Sequence, residues 1–203
     1  MNGLPQLFGT GLGLSAAAGL NSYAVLLVYG AMARFFPEDY TGSIARLLAS
    51  TPALVVAAVL FLLEFFADKI PGLDHFWHLL HSIVRPLVGA LVAIAAVQPE
   101  GSAALDVVAG GAGGGVALAS HLVKSATRLT STAVTFGTAN AGLSLAEDVV
   151  AFLQSLVSIF LPLVALVVVF AIGVLFVLTV PRMARFLDLF GRRRTRREPS
   201  PPA

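Results

Sequence analysis

Long runs without a single charge decide what this chain can become. Leu163 to Thr179 (LVALVVVFAIGVLFVLT) carries none, and neither does Ala53 to Leu63 (ALVVAAVLFLL). A helix needs roughly 20 mostly apolar residues to cross a hydrocarbon core. Lipid offers no hydrogen bonds, so the backbone polar groups of such a run must pair within it, which selects helix. A membrane β-barrel would alternate polar and apolar residues over about ten positions, and no stretch here does so. Only 12% of the 203 residues are charged, where a soluble domain carries about 25%. That is too little polar surface to cover a water-exposed globule.

The apolar stretches divide the chain. A first segment runs from about Leu4 to Phe36, rich in glycine (Gly9, Gly11, Gly13, Gly19), with Asn21, Ser22 and Tyr23 in its middle. A second, Pro52 to Lys69, ends at the Pro71-Gly72 breaker. A third runs from Asp74 to Val97 with Pro86 inside, and a fourth from Ala103 to about Thr132 contains the glycine run 110–115. The last, Val149 to Val180, is interrupted by Pro162; it reads as one long kinked span or as a re-entrant piece followed by a span. The expectation is an all-α polytopic bundle of five or six membrane segments.

A faint echo links Gly11-x-Gly13 and the LSAAAGLNSYA after it to Gly113-x-Gly115 and VALASHLVKSA, 102 residues later. It allows two inverted halves, 1–98 and 99–181, of the kind many transporters use. Small residues are also what membrane helices share for close packing. Six segments would place both termini in the cytoplasm; five would leave the N-terminus outside.

Charge is distributed unevenly. Seven arginines (182, 185, 192, 193, 194, 196 and 197) lie in residues 182–203, leaving six basic and nine acidic side chains before them. Beside a terminal span such a tail marks the cytoplasmic side of an inner membrane and meets anionic lipid head groups; nucleic acid is not the expected partner. The tail is expected to be disordered. Gly3 to Ala18 lacks the basic residues that precede a cleaved signal. With no cysteine, thiolate metal sites and cysteine nucleophiles are excluded.

The residues that ought not to be in a membrane carry the functional reading. Glu64 and Asp68 share a face at the end of the second segment, with Lys69 beside them. Asp74, His78, His81 and Arg85 follow at i, i+4, i+7 and i+11, within about 60° of one another on an otherwise apolar helix. A charge deep in lipid costs at least about 2.5–3.5 kcal/mol on insertion scales, so the stripe should face protein or water. His121, Lys124 and Arg128 form a second single-face cluster, which reads as a cytoplasmic cap on lipid phosphates, as a buried network with Glu64, Asp68 or Asp74, or as an attractor for an anionic substrate. Asn140, Glu147 and Asp148 stand behind them, and Asn21 marks a possible helix break.

Three readings compete. The stripe is an interfacial hairpin with Trp77 in the aromatic belt, making the protein a non-transporting scaffold. Or it lines a transport or permeation site for a cation, proton or small solute. Or Glu64, Asp68, Asp74, His78 and His81 hold a divalent metal ion as the cofactor of a membrane enzyme. Neither HExxH nor DxxD is present, and no Gly-Lys-Ser/Thr follows the glycine run, so it is no P-loop. The enzyme is the least favoured of the three. A single copy of 203 residues offers little wall for a pathway, which points to a homo-oligomer.

Two stretches, GLNSYAVLLVYGAMARF (19–35) and EFFADKIPGLDHFWHLLHSIVRPLVGA (64–90), resemble the DUF4126 group of bacterial membrane proteins, most specifically in ADKIP and the Trp-x-x-x-His spacing. The likeness extends to about residue 180. It implies an integral membrane protein and assigns no catalytic residue.

Overall fold

The structure is a computed structural model; it describes residues 3–67, 73–100, 102–136 and 138–195, and within them the side chains of 3–67, 80–99, 102–136, 138–179, 181 and 182. The described residues form α1 (Leu4–Ala18), α2 (Ser22–Phe35), α3 (Ser43–Leu48), α4 (Thr51–Ala67), α5 (Leu73–Val97), a 3-10 turn (Gln98–Glu100), α6 (Ala103–Thr135), α7 (Asn140–Phe160) and α8 (Pro162–Thr195). Four helices, α5 to α8, are long and apolar enough to cross a membrane, while α2 and α4 are shorter apolar helices. This is the polytopic helical bundle the sequence implies.

Burial is inverted relative to a soluble protein. Val55, Val56, Val59, Leu62, Leu63 and Phe66 of α4 are exposed, while Glu64 between them is buried. Apolar side chains therefore face lipid, and the polar ones turn inward, where each can find a partner.

The first apolar segment is two helices, not one. α1 stops at Gly19, and Asn21 starts α2 by accepting the Tyr23 and Ala24 backbone N–H groups on its side chain, at 3.1 and 3.0 Å, the usual role of an Asn N-cap. α1 runs antiparallel to α5: Gly11 lies against Ala93, the Ser15 hydroxyl donates to Gly89 O at 2.8 Å, and Gly19 O receives Arg85. α2 then returns. Val25, Tyr29 and Ala33 join Val88, Val92 and Ala95 in one core, and the Ile44 N–H beyond it donates to Gln98 Oε1 at 3.0 Å. α1 and α2 are thus the arms of a helical hairpin with its tip at Gly19–Leu20–Asn21. Arg85 is the middle residue of the 25-residue α5, so the tip stops about 18 Å from either end of that helix.

Glycine permits this approach. A Cβ on Gly19 would collide with Ala117 O and the Ser120 side chain of α6, and Gly89 and Gly113 face each other where α5 and α6 cross. The glycine run divides by helical phase, for Gly111 and Gly115 have open space where Gly113 has none.

Two further expectations change. The apolar stretch 149–180 is neither a single kinked span nor a short re-entrant piece with a span after it. α7 begins at Asn140 and is itself 21 residues long, and the chain turns at Leu161 before Pro162 opens α8. Proline suits that first helical position because its missing N–H would have no helical partner there. α8 continues as helix to Thr195, so 182–195, expected to be disordered, extend the last helix; 196–203 lie outside the described residues. α6 runs unbroken through 121–123, the positions that the sequence echo matches to the α1–α2 break.

Candidate functional site

The hairpin tip ends among charges from four other helices. At the C-terminal end of α1 the last carbonyls have no helical partner and carry the negative end of the helix dipole. Two cations take them. Arg85 Nη1 of α5 donates to Gly19 O, and Lys124 Nζ of α6 donates to Leu20 O, both at 2.8 Å. At the start of α2 the Asn21 side chain caps the helix with its oxygen and donates its amide to Asp148 Oδ1 of α7 at 2.8 Å. An acceptor aimed at a helix N-terminus and cations aimed at a C-terminus are each the favourable arrangement.

Around these contacts lie two ion-pair groups. In the first, Arg85 Nη2 meets Glu64 Oε1 of α4 at 2.6 Å, and His81 Nε2 lies 3.6 Å from the same oxygen. Tyr23 stands edge-on to His81, with ring centroids 5.6 Å apart. Arg85 Nη1 also contacts His121 Nδ1 at 3.0 Å, and Ser82 Oγ lies 3.1 Å from His121 Nε2. A guanidinium only donates. His121 Nδ1 is therefore the acceptor, and its proton sits on Nε2, facing Ser82.

In the second group, Glu147 of α7 accepts Arg128 Nε and Nη2 on Oε2, at 3.1 and 2.7 Å, and Lys124 Nζ on the same oxygen at 3.1 Å. Lys124 thereby joins this group to the tip. Glu64 and Arg85 are about 1% exposed and Lys124 2%, so the layer is out of contact with bulk solvent. Glu64 Oε2 and Arg85 Nε are buried with no hydrogen-bond partner among the described residues.

Nine residues singled out by sequence meet in this layer: Asn21, Glu64, His81, Arg85, His121, Lys124, Arg128, Glu147 and Asp148. Lys124 and Arg128 meet Glu147, which the sequence sets behind them, because α6 and α7 form an antiparallel pair that aligns 124–128 with 147. Asn140 stands apart at the start of α7, donating to Thr132 Oγ1 at 2.8 Å. Asp68 and Lys69 lie outside the described residues, as do the side chains of Asp74 and His78. Among the described residues no three His, Asp or Glu side chains are placed to hold a metal ion, and Arg85 occupies the Glu64 oxygen nearest His81.

Sequence reasoning missed small polar residues that turn inward on the same helices. Ser120, Ser144, Ser155 and Ser158 are buried. A signal was present on α7, where Ser144, Asp148, Ala151, Ser155 and Ser158 recur at spacings of four and three, one helical face. The turn carbonyls of Gly19 and Leu20, taken by Arg85 and Lys124, have no sequence signature at all.

The family model described as Domain of unknown function (DUF4126) matches residues 8–182, from α1 into α8. No curated protein and no solved structure matches the chain.

Proposed function

From the premise that the chain belongs to the DUF4126 family, we propose that it is a small membrane transporter in which the α1–α2 hairpin is the gate and the charge layer at its tip takes up and releases protons, alone or with a solute. The observation that carries this reading is the non-helical tip at half the height of α5, its carbonyls held by Arg85 and Lys124. Irregular backbone at membrane depth is tolerated only inside protein or along a water-filled cavity, and transporters put such breaks where they bind their cargo. Glu64 Oε2 and Arg85 Nε, which have no hydrogen-bond partner among the described residues, support it as well, because orphaned buried atoms in a native site call for water or a ligand.

In this reading α4 to α8 make five crossings, and the hairpin enters and leaves from one side. The N-terminus then faces outward, and the C-terminus, with its seven arginines, faces the cytoplasm of an inner membrane against anionic lipid. The apolar window of α8, only 6% buried, supplies a surface for a second copy, which would widen the wall of the pathway.

The test is proton flux into vesicles containing the purified protein and an internal pH-sensitive dye. Wild-type vesicles should dissipate an imposed pH gradient faster than protein-free ones, and Glu64→Gln should slow the decay at least tenfold. Decay equal to that of empty vesicles would contradict proton movement. One observation favours the scaffold as second reading: Glu147 is held by two cations at once, a geometry suited to fastening α6 to α7. A scaffold predicts no flux and full stability in vesicles.

A further inference from the structure

A cavity of about 310 Å³ opens between the two arms of the hairpin, at the end away from the tip. Tyr29, about 1% exposed, is buried deepest in its wall; Met32, Phe36, Asp39, Tyr40 and Phe160 are among the other residues that line it. The volume lies in the range of small-molecule sites. The charge layer at the tip does not use it.

The lining has one chemical preference. Among the described residues Asp39 is its only carboxylate, and no lysine, arginine or histidine lines it. Of its twelve lining residues, Tyr29, Phe36, Tyr40 and Phe160 are aromatic. Tyr29 and Tyr40 stand edge to face, ring centroids 5.3 Å apart and planes at 82°, which gives two aromatic walls at a corner. Burial pushes the Tyr40 phenol up to about 12, with the Asp39 carboxylate adding to the shift, so this ring stays neutral. The Asp39 N–H bonds Phe36 O at 3.1 Å, a turn that fixes the acid beside the aromatic corner. Aromatic faces attract cations, most strongly when water is displaced, and quaternary ammonium groups are the ligands such corners favour.

We propose that this cavity binds a quaternary ammonium group, with the cation against the Tyr29–Tyr40 corner and Asp39 as its counter-charge. The chemistry is shared by free trimethylammonium compounds and by phosphatidylcholine head groups. The site stands independently of the transport reading.

The test uses the full chain in a maltoside detergent, titrated with choline chloride and followed by thermal unfolding. Choline should raise the unfolding temperature with a saturable dependence. Its neutral isostere, 3,3-dimethyl-1-butanol, should bind at least tenfold more weakly, and Asp39→Asn and Tyr40→Leu should each weaken choline at least tenfold. Asp39 lies in an exposed turn, so its variant should fold as wild type does. A second arm replaces choline with dihexanoyl-phosphatidylcholine or dihexanoyl-phosphatidylglycerol below their micellar concentrations. Stabilisation by the choline lipid alone would assign the site to a lipid head group, and stabilisation by free choline to a soluble ligand. Equal binding of choline and its isostere, an unchanged Asp39→Asn, or no saturable effect of either choline compound would overturn the proposal.

Discussion

Arg85, in the middle of α5, donates to the backbone carbonyl of Gly19 at the tip of the α1–α2 hairpin, 2.8 Å away, while its other terminal nitrogen holds Glu64 at 2.6 Å. One side chain thus joins a helix end, a third helix and a buried carboxylate. Removing it should leave Glu64 buried with His81 Nε2 at 3.6 Å in place of its guanidinium partner, and breaking a buried pair of this kind costs about 3–5 kcal/mol. Arg85→Gln should therefore lower thermal stability in detergent more than Glu64→Gln, and the double variant should recover part of the loss. Strict additivity in that cycle would show that the two residues are not coupled.

Glycines in the same helix should respond oppositely to a methyl group. Gly113→Ala would drive a Cβ into Gly89 and Ala93, whereas at Gly111 it meets nothing. The first should destabilise by about 1–3 kcal/mol through overpacking. The second should be neutral or stabilise by up to about 1 kcal/mol, the helix preference of alanine over glycine. Equal unfolding temperatures for the two variants would place the α5–α6 contact elsewhere.

The hydrogen bond from Arg85 fixes the tautomer of His121. Nitrogen-15 spectra of labelled protein should find the His121 proton on Nε2, and Arg85→Gln should relax that preference, since glutamine can donate or accept. A proton on Nδ1 in the wild type would be incompatible with the 3.0 Å contact.

The proposed topology, a one-sided hairpin followed by five crossings, makes a prediction about sidedness that does not depend on transport. Single cysteines at Asn2 and Glu38, in a chain that has none, should be labelled from the same face of a sealed vesicle, with one at Ser200 labelled from the other. Labelling of positions 2 and 38 from opposite faces would mean that α1 and α2 cross as one span.

Much of this was legible in the residues, for reasons that differ by element. Apolar runs such as 163–179 announce a membrane directly, because burying that surface in lipid needs no partner. The stripe of His81 and Arg85 was legible because a charge in an apolar helix must turn inward. The fold-back at Gly19–Asn21 was not, since glycine and asparagine within an apolar segment fit a kink, a packing face or a turn equally well. Which carboxylate meets Lys124 and Arg128 depended on the antiparallel register of α6 and α7, a tertiary fact that local spacing does not encode. α7 looked shorter than it is because its first turns, 140–148, are polar where they bury against the layer.

The central claim is that the hairpin tip forms a gate reachable by water, and a thiol at Ser22 tests it most directly. Ser22 is fully buried in the tip, and Ser22→Cys adds a single thiol to a cysteine-free chain. In sealed vesicles the account predicts that small membrane-impermeant thiol reagents modify it, at a rate that changes when the pH on the side of the hairpin's mouth is altered. A thiol that stays unmodified from both sides in folded protein, and reacts only after denaturation, would contradict the gate and leave the charge layer as a structural clasp.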